Sequence, residues 1–430
     1  MLFRRRHLPK PHSTQQGLLA LLGPGLITGA SDDDPSGIAT YSQVGAQFGY
    51  AMGWVMLFSY PLMAAIQEIS ARIGRVTGKG IAANIRGHYP LSLLRAIVGL
   101  LLVANIINLG ADLGAMGDAL RLLIGGPAHL YVVLFAVACA ALEIFLRYER
   151  YVAILKWTTL SLFAYVATVL VVHVPWGEVA YNTFVPSLSW QHDYIVSLVA
   201  VLGTTISPYL FFWQASEEAE DERVNPAEHP LTEAPEEAPR QIRRLEIDTY
   251  VGMGFSNLIA LCIIITTAAT LHLNGITDIQ TSEQAAEALR PIAGEFAFAV
   301  FTCGIVGTGL LAIPVLAGSA AYAVAEAMEW PTGLARQPRA AKAFYGTIVV
   351  GTLIGVAINF VHIDPIKALF WTAVINGVVA VPLMVVMMLM TMRQEVMGQF
   401  TLPRPLWTMG WLSTAVMAFA VATMFATWSG

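Results

Sequence analysis

The sequence predicts an all-α membrane protein of eleven transmembrane helices, two of them discontinuous, arranged as two inverted five-helix repeats. Three observations predict it. Of 430 residues, 56% are hydrophobic and only 12% charged, about half the charged share of a soluble domain. Apolar windows of about 20 residues, the length that crosses a bilayer, recur along the chain. Two such windows, five spans apart, are interrupted by glycines and by an Asp–Pro or Ser–Pro step.

The spans are expected near 15–47, 49–73, 93–124, 128–147, 150–173, 194–215, 243–272, 294–326, 340–361, 365–391 and 406–428. Residues 1–14 read as a retained cytoplasmic tail, because no small-residue cleavage site ends the apolar run behind "MLFRRRHLPK". Residues 15–173 would form the first repeat, 194–391 the second, and 406–428 an added eleventh helix. With the N-terminus cytoplasmic, all of the 24 Lys and Arg residues except Arg121, Arg290 and Lys367 fall inside. That asymmetry orients a protein in the inner (plasma) membrane and supports the span count, since one missed helix would scramble the alternation. The segment 216–242, rich in Glu and Pro, reads as a solvated helix extension followed by a flexible cytoplasmic linker. Cys139, Cys262 and Cys303 fall in apolar windows and read as small core residues.

The stretch "GLITGASDDDPSGIAT" (25–40) sets Asp32, Asp33 and Asp34 where the bilayer centre should be. Intramembrane carboxylates are expensive and normally face a protein or water cavity with a functional role. Gly23, Pro24, Gly25 and Gly29 weaken the helix before the acids, and Pro35, Ser36 and Gly37 weaken it after. Asp34–Pro35 reads as a helix cap followed by proline at the first helical position. Span 1 is therefore expected as two half-helices with an unwound stretch at about 30–36. Span 6 repeats the device in "AVLGTTISPYLFFWQ" (200–214), where Ser207–Pro208 is the second cap–proline pair. An offset of five spans reverses the direction of membrane entry. Paired discontinuous helices in inverted repeats mark transporters with a midplane site, where unwound carbonyls coordinate a cation.

"GPGLITGASDDDPSGIAT" followed by "SARIGRVTGKG" (70–80) resembles the first two helices of the Nramp family of divalent metal transporters. There helix 1 carries D-P-G-N and then I-A-T, and helix 2 ends S-A-R-L-G-x-V-T-G-K. The resemblance is densest over about residues 20–90 and returns at spans 3 and 6. It implies the inverted-repeat fold of the APC superfamily and a cation site at the unwound parts of helices 1 and 6. The family's helix 1 aspartate falls on Asp34, and its asparagine on Gly37, which has no side-chain donor atom. The helix 6 motif A-x-x-M-P-H falls on Thr204, Ser207, Pro208 and Tyr209, and a second family histidine falls on Gln214. The alanine contributes its carbonyl, so Thr204 can replace it. The helix 3 acids of the family's proton relay correspond to Asp112 and to Ala115, with Asp118 a spare acid nearby.

These departures have a chemical direction. Losing the soft thioether leaves carboxylate, hydroxyl and carbonyl oxygens, which suit Mg²⁺ and Mn²⁺. Ser for Met and Gly for Asn make room for a partly hydrated ion, and Asp32 and Asp33 would attract it. The expected site is Asp34 with the Thr204 carbonyl and the Ser207 hydroxyl. Asp32, Asp33, Gly37, Tyr209, Gln214 and Asn376 are further metal or pathway candidates, and Asp112 and Asp118 candidates for a proton path. With both histidines missing, movement driven by the membrane potential without protons stands beside symport. The chain is similar to the Nramp-related magnesium transporters. The expected partners are a divalent cation as cargo and the lipid bilayer, with no nucleic acid and no cofactor, the chain acting as a monomer. Alternatives are a carrier of another cation or an organic amine, and a cation sensor without turnover. The faint "GAMGD" (114–118) lacks the partner motif of an intramembrane aspartyl protease, and no nucleotide loop or His-Glu-x-x-His occurs, so no enzyme is expected. Glu143, four residues before Arg147, reads as an intrahelical ion pair. A vestibule acid is the alternative there; Glu68 lies at the inner end of span 2, and Asn105 and Asn108 read as interhelical hydrogen bonders.

Overall fold

A computed structural model describes residues 28–29, 31–145, 162–225, 228–290, 294, 297–361 and 364–428. The tail, the first half of span 1, most of span 5 and Arg147 lie outside the described residues. Among those described there are helices and no strand. Among the described residues seven helices, counting the two halves of the sixth expected span as one, are long and apolar enough to cross a membrane.

In chain order the helices are α1 (Pro35–Phe48), α2 (Gly53–Thr77), α3 (Ile81–His88), α4 (Leu91–Ile124), α5 (Ala128–Phe145), α6 (Phe163–Val171) and α7 (Trp176–Phe184). There follow α8 (His192–Thr205), α9 (Pro208–Val224), α10 (Ala238–Thr270), α11 (Ser282–Glu287), α12 (Ala297–Ala327), α13 (Lys342–Ile358), α14 (Pro365–Thr391), α15 (Gln394–Met397) and α16 (Arg404–Thr427). Both expected breaks are present. Thr28, Gly29, Ser31 and Asp32 are helical, the chain bends at Asp33 and Asp34, and α1 starts at Pro35. Likewise α8 ends at Thr205, Ile206 and Ser207 leave the helix, and α9 starts at Pro208. Among the described residues each break is two residues wide. The first is narrower than the 30–36 expected from its glycines, because every peptide group left unwound in a membrane must find another partner.

α4 lies at the centre, packed against α5, α12, α13 and α14. α1 packs on α8, α10 and α14, and α2 on α9, α10 and α16. Small residues let backbones meet at the breaks. A Cβ on Gly203 of α8 would overlap the Ala373 carbonyl of α14 and crowd Gly377. Gly377 therefore serves close helix packing, with Asn376 buried beside it at 2% exposure.

The acidic segment after span 6 departs from the expected solvated linker. Glu217, Glu218, Glu220 and Glu222 on the last turns of α9 are buried. The chain then folds back onto the end of α2, where the Leu231 and Thr232 amides donate to the Arg75 and Val76 carbonyls, both at 3.2 Å. Arg75, wholly buried, pairs with Glu222 at 3.4 Å, Glu218 at 3.9 Å and Glu228. Arg244 pairs with Glu218 at 2.7 Å. Glu68 pairs with Arg72 at 2.7 Å. Composition misread the segment because its countercharges come from α2 and α10. Glu143 is buried, with Oε1 lacking a hydrogen-bond partner.

Removing one partner of a buried ion pair leaves the other charges uncompensated and costs about 3–5 kcal/mol. Arg75→Met is expected to lower the melting temperature in detergent and to expose residues 228–237 to limited proteolysis. An unchanged melting curve and digestion pattern would show that the arginine does not hold this segment.

Candidate cation site

The two breaks meet at Asp34. Pro35 presets the first turn of α1, and Asp34 takes the cap position with extended backbone. Its Oδ1 accepts from the Gly37 amide and the Ser36 hydroxyl, each at 2.7 Å. Its Oδ2 accepts from Asn108 Nδ2 of α4 at 3.2 Å and lies 3.3 Å from the Tyr209 hydroxyl of α9. That hydroxyl is closer to the Ser31 carbonyl, at 2.9 Å, and donates there. Tyr209 thus ties the second break to the first. The remaining residues of the YLFFW run, 210–213, are packed into the core.

Asp32 and Asp33 are 1% and 0% exposed. Ser256 of α10 donates to Asp32 Oδ2 at 2.7 Å, and Asp33 Oδ1 lies 3.3 Å away from the same hydroxyl. Asp32 Oδ1 and Asp33 Oδ2 have no hydrogen-bond partner. Across the break, the Ser207 hydroxyl faces the Thr204 and Gly203 carbonyls, at 2.6 and 2.8 Å. It occupies the cap position of α9 without capping it by its side chain. The Thr204 carbonyl and Ser207 hydroxyl are thus turned toward each other, each with lone pairs left. Gly37 leaves little space, since a Cβ there would stand 3.1 Å from the Asp32 carbonyl and 3.3 Å from Tyr41. The room expected from its missing side chain is taken by Tyr41.

The other expected residues are dispersed. Asp112 is fully buried on α4, one turn past Asn108, with neither carboxylate oxygen hydrogen-bonded. Asp118 lies near the end of that helix, held by Arg121 at 2.6 Å and by Ser282 at 2.7 Å, away from Asp34. Gln214 lies two turns into α9, where it accepts from Gln67 and donates to Thr249 at 3.0 Å. Asn105 donates to the Leu316 carbonyl and to Ser319 of α12.

Three residues join the cluster that sequence reasoning did not place there. Asn108 hydrogen-bonds between helices, as expected, but its partner is Asp34. Tyr41 faces Thr204 Oγ1 at 3.0 Å and lies in the field of all three aspartates. It follows Asp34 by seven residues, two helical turns, a spacing that could have revealed it. Ser256 carries no local signal.

A cavity of about 360 Å³ opens at one end of the molecule. It is lined by Ala39, Gln43 and Gln47 of α1, Val196 and Ser197 of α8, and Phe370 of α14. Ala39 is about one turn above the break. At the opposite, arginine-rich end the acidic segment packs against α2, and Glu220 is bound by Tyr322 and the Leu334 amide. Glu326 there accepts from Ser216 and the Ala83 amide. Among the described residues no three His, Cys, Asp or Glu side chains gather closely enough to hold a metal ion. A cation at the break would have to use hydroxyl, amide or carbonyl oxygens, or keep part of its water, as Mg²⁺ does.

A family model described as natural resistance-associated macrophage protein-like matches residues 25–427. The divalent metal cation transporter MntH of Klebsiella pneumoniae is 27% identical over 412 residues, covering 93% of this chain and 92% of that protein. The manganese transporter of Eremococcus coleocola, solved with an aromatic bis-isothiourea compound, superposes with a TM-score of 0.72 at 18% identity, covering 98% of this chain and 90% of that one. MhsT in complex with L-phenylalanine superposes with a TM-score of 0.60 at 11% identity, covering 94% and 98%.

Three consecutive buried carboxylates repel one another, and two of their oxygens lack donors. Neutralising one relieves that repulsion. Asp33→Asn is therefore expected to raise the melting temperature of the cation-free protein in detergent. A fall of several degrees would mean that Asp33 is satisfied as a charged group.

Proposed function

The chain belongs to the Nramp family, whose model spans nearly all of it, and from that premise we propose that it carries hard divalent cations, Mg²⁺ foremost, across the plasma membrane by alternating access. It is a multi-pass membrane protein of a transporter family and not an enzyme. One observation carries the reading. Asp34 is a fully buried carboxylate held at the N-terminus of a broken helix, where a second broken helix crosses it. Asp34 is the central ligand. The Thr204 carbonyl and the Ser207 hydroxyl complete the set from the second break, with Asp32 and Asp33 attracting the ion or holding its water. Spans 1–5 and 6–10 are the two repeats, span 11 is appended, and the N-terminus is cytoplasmic.

The cation enters through the cavity between α1, α8 and α14, which faces outward in this orientation. The inner route is closed by Arg75 and its glutamates. Opening that end while closing the cavity releases the ion inside. A dication moving to the inside-negative face gains about 4.6 kcal/mol per 100 mV, enough for accumulation without protons.

Magnesium is favoured by the oxygen-only chemistry at Asp34 and by Ser207 standing where the family carries a thioether. Manganese is the second reading, supported by the cargo named for the Eremococcus coleocola transporter. The test is flux into liposomes loaded with a Mg²⁺-sensitive dye, with a pH dye in parallel. Wild type should admit Mg²⁺ with a silent pH dye, and Asp34→Ala should abolish the influx while eluting as a folded protein. Unchanged influx in Asp34→Ala would remove the proposal. Ser207→Met adds a soft ligand and should shift flux preference from Mg²⁺ toward Cd²⁺ about tenfold. An unshifted preference would mean that Ser207 does not face the ion.

A further inference from the structure

Resting on the cation-carrying reading above, we propose that α4 supplies direct ligands to the transported ion: the Asn108 amide oxygen and the Asp112 carboxylate join Asp34. Asn108 and Asp112 are both 0% exposed. Asn108 uses its Nδ2 on Asp34, and its Oδ1 has no partner. Both oxygens of Asp112 also lack a hydrogen-bond partner. Four residues apart on α4, the two side chains share one helix face. Asp112 lies close enough to Asp34 to feel its charge, and it faces the Ser36 amide at the start of α1.

Buried polar atoms in native proteins are nearly always satisfied, and each exception needs an explanation. Here three acceptor oxygens gather beside a fourth group that is itself an acceptor. Among the described residues the Ser36 amide is the one α1 donor that faces Asp112, and the Asn108 amide oxygen has no partner. The N-terminus of α1 provides a favourable field of about half a charge, which cannot balance two carboxylates. A cation can, and carboxylate and amide oxygens are the ligands a hard dication takes.

The second break offers less open capacity. There the Ser207 hydroxyl already faces the Thr204 carbonyl at 2.6 Å. The side of Asp34 that faces α4 presents two carboxylates and an amide oxygen, with the Tyr209 hydroxyl 3.3 Å from Asp34 Oδ2. An all-oxygen set with two negative charges suits a hard dication and gives soft ions no advantage. Selectivity in this chain would then arise on α4 as much as at the missing thioether.

The test is calorimetric titration of the purified full chain in detergent with Mg²⁺, Mn²⁺ and Cd²⁺, each variant first checked by its elution profile. Asp112→Asn and Asn108→Leu are each expected to weaken Mg²⁺ binding at least tenfold. Asp112→Cys is expected to raise the preference for Cd²⁺ over Mg²⁺ at least tenfold, a change that a merely structural role would not produce. That shift decides the matter if Asp112→Asn fails to fold. The proposal is overturned if wild type binds Mg²⁺, Asp34→Asn abolishes binding, and the α4 variants bind within twofold of wild type with no Cd²⁺ preference. Absence of dication binding in wild type would instead overturn the transport reading on which it rests.

Discussion

The hydrogen bond from the Gly37 amide to Asp34 Oδ1, 2.7 Å long, is the contact on which the rest of the centre depends. It exists because Pro35 cannot continue the preceding helix and readily begins a new one. The cap fixes one oxygen of Asp34 against the new helix, and the other oxygen turns toward α4 and α9. A charged group that would be intolerable in lipid is thereby held by the start of a helix, a hydroxyl and an amide. The same bend aligns Ser31 with Tyr209, so one cap positions both breaks relative to each other.

The two ends of the molecule are built differently around that centre. Toward the cavity, α1, α8 and α14 separate enough to admit water and ions, with polar Gln43 and Gln47 on the wall. Toward the other end the acids of α9 turn inward and meet Arg75 and Arg244. Ionic closure suits a gate. Charged pairs hold firmly when dry, and they can exchange for water when the helices part, whereas an apolar seal resists wetting. The asymmetry between a wet cavity and a dry ionic seal is the form that one state of an alternating carrier should take.

Much of this was legible in the sequence because it rests on local rules. A cap residue before proline announces a break, and two such pairs five spans apart announce inverted repeats. Asp34, Pro35, Ser207 and Pro208 lie where those rules put them. The width of the breaks was not legible, since glycines permit unwinding without requiring it. Partners distant in sequence were not legible either. Ser256 meets Asp32 only because α10 packs on α1, and Asn108 meets Asp34 only across the α1–α4 contact. The acidic segment misled for the same reason. Glu218 and Glu222 read as solvated until the arginines of α2 and α10 are brought to them. The resemblance at helix 6 located Tyr209 and Gln214 as positions. The structure separates them, with Tyr209 against Asp34 and Gln214 in a network with Gln67 and Thr249.

The central claim is that a divalent cation sits against Asp34 at the crossing of the two breaks. The most direct measurement is an anomalous-difference map from crystals grown with Mn²⁺, which scatters strongly and shares the oxygen preference of Mg²⁺. A peak is expected within about 2.5 Å of an Asp34 carboxylate oxygen. Strong anomalous density confined to the cavity lined by Asp193 and Asp278, with none at Asp34, would contradict the claim.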